Sequence, residues 1–145
     1  MNEKSLADIE KTIQRQVANI RTEIFHDSEV WNLSIVKDIE IQESHYRVEV
    51  TYYVYNGLHT IELDFGVENF NNGDIEYDTL TGIGAFRVMN ILKQFYLAVF
   101  LILHEKVGID RTAICPTCER RWRFYNRTIR RLLKKIGIDI PIVYI

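Results

Sequence analysis

Proline and glycine are scarce in this chain, with two and seven residues in 145. The sequence contains no internal repeat, no low-complexity tract and no flexible linker that would divide it. Hydrophobic residues make up 47% and charged residues 26%, a composition that excludes an intrinsically disordered chain. We therefore predict one globular domain over residues 1–145, which is a common length for a single domain.

Long hydrophobic runs and cysteines are also few. The most apolar run, Phe95 to Leu103, covers nine residues, whereas about 20 are needed to span a bilayer. The first residues are polar and include acids, unlike a secretory signal peptide. Two cysteines without such a signal are typical of a reducing compartment. We expect a cytoplasmic protein without membrane association, in which this apolar run is a buried helix segment.

The formal net charge of −2 conceals two oppositely charged regions. Residues 120–135 contain eight basic and no acidic residues, which leaves ten basic and twenty acidic residues elsewhere. Residues 38–78 contain ten acids but only one arginine or lysine, Arg47. Local fields of this kind determine which charged molecules approach a surface. Each region is therefore a candidate binding surface.

Apolar residues that recur at steps of three or four predict three helices. The first begins at Ser5, a suitable N-cap with Asp8 three residues later, and ends near His26. The second covers residues 85–106 and is apolar almost all round, so other elements should cover it. The third covers residues 119–136 and ends at a glycine. Its inward positions are Trp122, Tyr125, Ile129, Leu132, Leu133 and Ile136.

Alternation of apolar and polar residues predicts an antiparallel β-meander between the first two helices. Its strands cover residues 33–41, 46–54 and 61–67, and Asn56-Gly57 is a tight turn. Shorter strands are expected at residues 75–77 and 111–115, and an edge strand within 138–145. The predicted class is α/β (α+β), with an N-terminal helix and two C-terminal helices packed on the meander.

Two short motifs and the element order indicate a family resemblance. A Thr-Gly-x-Gly turn at residues 81–84 precedes a helix that opens Phe-Arg-Val, and an Arg-x-x-aromatic-Tyr-x-Arg run occupies residues 121–127. This region resembles a group of phage-encoded proteins with a GNAT-like (GCN5-related N-acetyltransferase) fold and largely unassigned function. A meander followed by a helix, a strand and a helix is also the GNAT order. The resemblance implies a single GNAT-like domain.

The resemblance also implies a cofactor site. In GNAT enzymes a Gln/Arg-x-x-Gly-x-Gly/Ala loop binds the acyl-CoA pyrophosphate through backbone N–H groups at a helix N-terminus. Gly82, Ile83, Gly84 and Ala85 would accordingly bind acetyl-CoA. Thr79 departs from this pattern because it stands at the Gln/Arg position. The alternative is that the two glycines only form a tight strand-to-helix turn.

The same family places a tyrosine at position 125, where its hydroxyl can protonate the departing CoA thiolate. The family pattern is Asn-x-x-Ala-x-x-Leu-Tyr, and its first three defined positions are Cys118, Arg121 and Phe124 here. By resemblance, Tyr125 is therefore the candidate catalytic acid. The alternative is that Tyr125 packs inward with Trp122, since aromatic residues at helical spacing usually belong to a core.

Cys115-Pro116-Thr117-Cys118 joins a predicted strand to a helix N-terminus, where a thiolate is stabilised. A redox pair, half of a zinc site and a purely structural role are the alternatives. The 27 residues after Cys118 are too few to complete a thioredoxin-like fold. The four histidines lie at no ligand spacing from the motif. We predict reduced cysteines and no metal.

Basic residues follow one face of the third helix at steps of three or four, with Arg120 and Arg131 beside them. The face could bind an acidic protein partner or nucleic-acid phosphates, or it could simply be solvated. Aromatic residues are not interleaved on it, which argues against single-strand recognition. The candidate partner-binding residues are Arg123, Arg127, Arg130 and Lys134.

Two functional hypotheses follow, and the sequence leaves open whether the protein is an enzyme. The departures at Thr79 and Cys118 favour a non-catalytic interaction module that binds a host protein. The alternative is an acyl-CoA-dependent N-acyltransferase acting on a cationic amine, which the acids of the meander would attract. Without that activity, the acids would only solvate the sheet. These acids are Glu49, Glu62, Asp64, Glu68, Asp74, Glu76 and Asp78.

Overall fold

The computed structural model describes residues 1–27, 29–41, 44–68, 75–77, 85–114 and 119–145. Within these residues, three helices and seven strands follow one another. In order they are α1 (Glu3–Gln16), β1 (Arg21–Asp27), β2 (Val30–Ile41), β3 (Ser44–Tyr55), β4 (Leu58–Glu68), β5 (Ile75–Tyr77), α2 (Ala85–Val107), β6 (Arg111–Ile114), α3 (Glu119–Lys135) and β7 (Ile142–Tyr144). The predicted α/β (α+β) class is confirmed, whereas a GNAT-like arrangement stays a prediction.

The seven strands form one mixed sheet. β1, β2, β3 and β4 are antiparallel neighbours in chain order, so the predicted meander is confirmed and has one more strand than expected. The far edge of β4 has two partners, because Gly66–Glu68 pair antiparallel with β5 while Thr60–Leu63 pair parallel with β6. β7 pairs parallel with β6 and ends the sheet, as the predicted edge strand.

The hairpin between β3 and β4 forms as the sequence predicts. Asn56 and Gly57 have φ angles of 51° and 76°, the two positive values that a two-residue hairpin turn with matching twist requires. This turn sets the register of the two strands, which pairs Tyr52 with Ile61 and Val50 with Leu63. All four of these side chains are buried.

The N-terminal helix is shorter than predicted. α1 ends at Gln16, Asn19 has a positive φ of 58°, and the next residues form β1. The prediction of a helix to His26 is therefore wrong. Ile20 and Ile24 are four residues apart, a spacing that fits one helical turn and equally fits one face of a strand. Pairing with β2 selects the strand.

The predicted N-cap at Ser5 is also wrong. The Asn2 side chain accepts a hydrogen bond from the Ser5 backbone N–H at 2.9 Å, and the helix begins at Glu3. Asparagine caps as well as serine does, so the earlier cap adds a turn that contains Ser5. The apolar side of α1 faces the core, because Leu6, Ile9 and Ile13 are buried.

The helices form one layer against one face of the sheet, since α2 contacts both α1 and α3 and also β2, β3 and β4. Nine α2 side chains between Val88 and Leu103 are buried in this layer. By length and composition alone, Arg87–Val107 is one described helix that could cross a membrane. As predicted, this helix packs in the core, and this packing accounts for its apolar composition. The cytoplasmic location stays a prediction.

Candidate functional site

The predicted cofactor loop lies before α2. β4 and β6 are parallel, α2 leads into β6 and α3 follows it, so both helices begin at the end of the sheet where these two strands finish. Ligands in α/β sheets commonly bind at this end. Ala85 is the first residue of α2, whereas Gly82, Ile83 and Gly84 lie outside the described residues. Acetyl-CoA binding at this loop stays a prediction.

Tyr125 lies in the layer of helices. Its side chain is 5% exposed and belongs to the core together with Ile129 and Leu133. Trp122, Leu132 and Ile136 are partly buried against that core, so the predicted inward face of α3 is confirmed. The location of Tyr125 agrees with packing, and its role as a catalytic acid stays a prediction.

The cysteine motif, residues 115–118, lies outside the described residues. Among the residues that the structure describes, no group of three or more His, Cys, Asp and Glu side chains is placed to hold a metal ion. The described histidines have other partners: His104 Nδ1 accepts from the Ile109 backbone N–H at 2.9 Å, and His59 Nδ1 shares a hydrogen bond with Tyr52 at 2.6 Å. The prediction of reduced, metal-free cysteines is not tested by this geometry.

The basic surface of α3 forms as predicted. Six cationic side chains of this helix are exposed: Arg123, Arg127, Arg130, Arg131, Lys134 and Lys135. Ion pairs between described residues join β1 to β2 and β2 to β3. Arg130 donates to Asn126 Oδ1 at 3.3 Å, which holds it along the helix surface. The four predicted partner-binding residues thus occupy one solvent-facing surface.

Phe124 is an exposed aromatic residue of α3, and the expectation of no interleaved aromatic on the face of Arg123, Arg127, Arg130 and Lys134 stays a prediction. Phe124 is 41% exposed and lies between Arg123 and Arg127 in sequence. Its ring contacts Tyr125 edge to face, with centroids 5.8 Å apart. Tyr125, the residue after Phe124, belongs to the inward face of α3. Because neighbouring residues of a helix point in different directions, Phe124 faces outward.

The sheet face away from the helices, hereafter the second face, is polar and acidic. Strand register pairs Glu49 of β3 with Asp64 of β4. Glu62 lies two residues before Asp64 on β4, so its side chain is on the same face of the sheet. Ser34 Oγ donates to Glu49 Oε1 at 2.6 Å, and Arg111 Nε donates to Thr60 Oγ1 at 2.8 Å. Ser34 thus holds the Glu49 carboxylate in place, and Thr60 holds the Arg111 guanidinium.

A carboxyl group and a phenol on the second face have a raised pKa. Burial raises the pKa of Glu62 above its ordinary value, and the negative charge of Glu49 raises it further. Burial also raises the pKa of Tyr53, with the charge of Glu62 adding to the effect and Arg111 opposing it. A carboxylate with a raised pKa is a stronger base than an ordinary one, and such groups are frequent in functional sites.

The structure does not bring the predicted acid and these carboxylates together. Tyr125 lies in the layer of helices. Glu62 lies on the opposite face of the sheet, in the part of β4 that pairs with β6. The sequence pattern indicates Glu62, one of the acids of the meander, but neither Tyr53 nor Arg111. The alternation of β3 signals which face Tyr53 occupies, but Arg111 depends on the pairing of β6 with β4, which no local pattern indicates.

Comparison with known proteins finds no protein-family model, no curated protein and no solved structure that matches this chain. The resemblance to phage-encoded GNAT-like proteins therefore rests on the motifs within residues 79–137 and on the order of the elements.

Proposed function

We propose that this domain is a non-catalytic binding module on a GNAT-like scaffold, and that the exposed surface of α3 recognises an acidic protein surface. The observation on which the proposal rests is the solvent exposure of six cations on one helix, with an exposed phenylalanine among them. Charged residues at an interface increase the association rate and select the partner's orientation. An aromatic side chain surrounded by them is a typical anchor for binding energy.

An acidic protein fits better than nucleic acid. Outside residues 120–135 the chain has twice as many acidic as basic residues, and the second face presents carboxylates on the other side of the sheet. A long polyanion that extended past α3 would meet this negative field, whereas a compact partner would contact α3 alone. From the resemblance we propose a host protein in the cytoplasm as the partner.

The proposal can be tested with defined polyanions and the full chain. We expect a polyglutamate peptide to bind, and the triple variant Arg123→Glu, Arg127→Glu, Arg130→Glu to bind at least tenfold more weakly, because three attractive charges become repulsive. The matched control reverses Lys4, Lys11 and Arg15, three exposed cations of α1, and should retain most of the affinity. Equal losses in both variants, or tighter binding of duplex DNA at the same salt concentration, would contradict the proposal.

Catalysis is a second candidate, and the raised pKa of Glu62 favours it. In an acyl-CoA-dependent N-acyltransferase, Glu62 would accept a proton from a cationic amine, whose nitrogen would then attack the thioester carbonyl. The C–S bond would break as the amide forms, and the second proton of the nitrogen would go to the departing CoA thiolate. Acetyl-CoA titration by calorimetry and thermal shift tests this function. Binding that disappears when Gly84 is replaced by a bulky residue, with turnover lowered in Glu62→Gln, would favour the enzyme. Saturating acetyl-CoA that gives neither heat nor a shift would eliminate it.

A further inference from the structure

A groove of about 500 Å³ lies between α2 and the second half of α3. Four of the side chains that line it are cations, one is a hydroxyl and one is apolar. They are Lys93 of α2 and Thr128, Arg131, Leu132, Lys134 and Lys135 of α3. No carboxylate is among these described lining residues, so the groove collects positive charge from two helices that are distant in sequence.

The groove lies apart from the first turns of α2 and α3. Lys93 follows two turns of α2, and Thr128 follows more than two turns of α3. At about 1.5 Å per residue, Lys93 lies on the order of 12 Å from the start of its helix. The helix N-termini therefore contribute nothing to the groove, and its chemistry is that of its side chains.

These side chains select an anion with many acceptor oxygens. Arginine offers a planar fork of donors, lysine a compact charge, and the threonine hydroxyl a further donor. Each phosphate monoester has a charge of about −1.5 to −2 at pH 7, so two phosphates approximately neutralise four cations. The groove volume also lies within the ordinary range for small-molecule sites.

We propose that this groove binds a small molecule that contains two or more phosphate groups. Arg131, Lys134 and Lys135 contact the phosphates from α3, while Lys93 contacts them from α2 and Thr128 donates a hydrogen bond. In the free protein the four cations repel one another, and the bound phosphates remove that repulsion. Binding therefore joins α2 to α3 and stabilises the folded state.

The shared chemistry of the ligand is a chain or pair of phosphates, and two sources would supply it. A free oligophosphate would use the cations alone. A nucleotide would use them together with a surface for its base, and Phe124 lies one helical turn before Thr128 on the same side of α3. Phe124 is 41% exposed, so its ring is accessible to a base.

Calorimetric titration of the full chain with inorganic tripolyphosphate tests the proposal. We expect saturable binding and an increase in Tm. The double variant Lys93→Gln, Arg131→Gln should bind at least tenfold more weakly, because one cation is lost on each side of the groove. The matched control is Lys4→Gln, Lys11→Gln, which removes the same charge from α1, away from the groove lining. This control should bind within about threefold of the parent chain, as a change in overall charge alone has a small, screened effect.

Absence of saturable binding would overturn the proposal, as would equal weakening in the two double variants. Arg131→Gln alone is the safeguard if the half-buried Lys93 is needed for folding, and it should still weaken binding more than Lys11→Gln. A parallel titration with ATP identifies the source. Tighter binding of ATP that Phe124→Ala reduces to the level of tripolyphosphate assigns a nucleotide, whereas equal affinities assign the phosphate chain itself. If tripolyphosphate does not bind in the groove, the result for polyglutamate is unaffected, because the polyglutamate test changes Arg123, Arg127 and Arg130.

Discussion

The two faces of the sheet are built from the same strands yet have opposite chemistry. On the covered face, Leu33, Val50 and Ile61 are fully buried beneath the helices. On the second face, Glu49 and Glu62 are only partly buried and lie near one another. Because successive residues alternate between faces, a single strand supplies both a core and a charged surface. The helix layer therefore determines which side chains of each strand are covered and which are free to interact with solvent and ligands.

The largest expected difference between the faces concerns two neighbours on β2. Ile35 is fully buried on the covered face, whereas Val36 is partly buried on the second face. Ile35→Ala should lower the free energy of unfolding by about 2–5 kcal/mol, because it leaves a cavity under the helices. Val36→Ala should cost less than about 1 kcal/mol. Urea unfolding measures both, and equal losses would mean that the second face is covered as well.

A polar pair inside the covered face provides the next test. Tyr96 and Thr112 are both fully buried, and their hydroxyls form a hydrogen bond of 2.7 Å. Thr112→Val leaves the tyrosine hydroxyl unsatisfied and should cost about 1–3 kcal/mol. Adding Tyr96→Phe should recover part of that loss, because no buried donor is then left unpaired. A double-mutant cycle by thermal unfolding gives this coupling, and strictly additive losses would contradict it.

A smaller effect is expected for Glu62 on the second face. The pKa of Glu62 is raised by burial and by Glu49, so the folded protein holds the proton more tightly than the unfolded chain. The stabilisation that protonated Glu62 contributes is complete at pH values below the pKa of Glu62 in the unfolded chain. It is lost as the pH rises through the pKa of Glu62 in the folded protein. Glu62→Gln should therefore raise Tm at about pH 8 and change it little at about pH 3. The exposed Glu23 is the control, and Glu23→Gln should give no comparable gain.

The smallest effect is expected at Asp38, on the same face. Burial alone would raise the pKa of Asp38, but hydrogen bonds and charge from Arg21 and Arg47 outweigh it and lower the pKa. The Arg21 Nε to Asp38 Oδ2 distance is 2.8 Å. The stabilisation that ionised Asp38 contributes is present at pH values above the pKa of Asp38 in the unfolded chain and is lost as the pH falls through its pKa in the folded protein. This pH dependence is the opposite of that expected for Glu62. Because the pair is exposed, Asp38→Asn should cost at most about 0.5–1 kcal/mol at neutral pH. A cost that persists in high salt would contradict this assignment.

Most strands and two helices could be predicted because their signals are local. Alternation along β3, the Asn56-Gly57 turn and the inward stripe of α3 each depend on a few consecutive residues. Gly137 ends α3 as predicted, with a φ of 75° and a hydrogen bond from the Ile138 N–H to the Leu133 carbonyl at 3.0 Å. These features require no knowledge of what the element packs against.

The wrong or missing predictions concern residues whose structure or chemistry depends on tertiary contacts. The spacing of Ile20 and Ile24 suits both a helix and a strand, and only pairing with β2 distinguishes them. The basic surface of α3 could be predicted from periodicity, but the groove could not. Lys93 belongs to another helix, and its contribution depends on how α2 and α3 pack. Likewise, the raised pKa of Glu62 requires a neighbouring strand to supply Glu49.

The double pairing of β4 has a consequence for the order in which the protein assembles. Its pairing with β3 closes a turn of two residues, whereas its pairing with β6 brings together Thr60 and Arg111, 51 positions apart. Short loops close at a lower entropic cost than long ones. We therefore expect the hairpins of β2 to β4 to form early and the unit of β6, α3 and β7 to dock last. In native-state hydrogen exchange, the Thr112 and Ile145 amides, which hold β6 and β7 together, should open at lower free energy than the amides of β3.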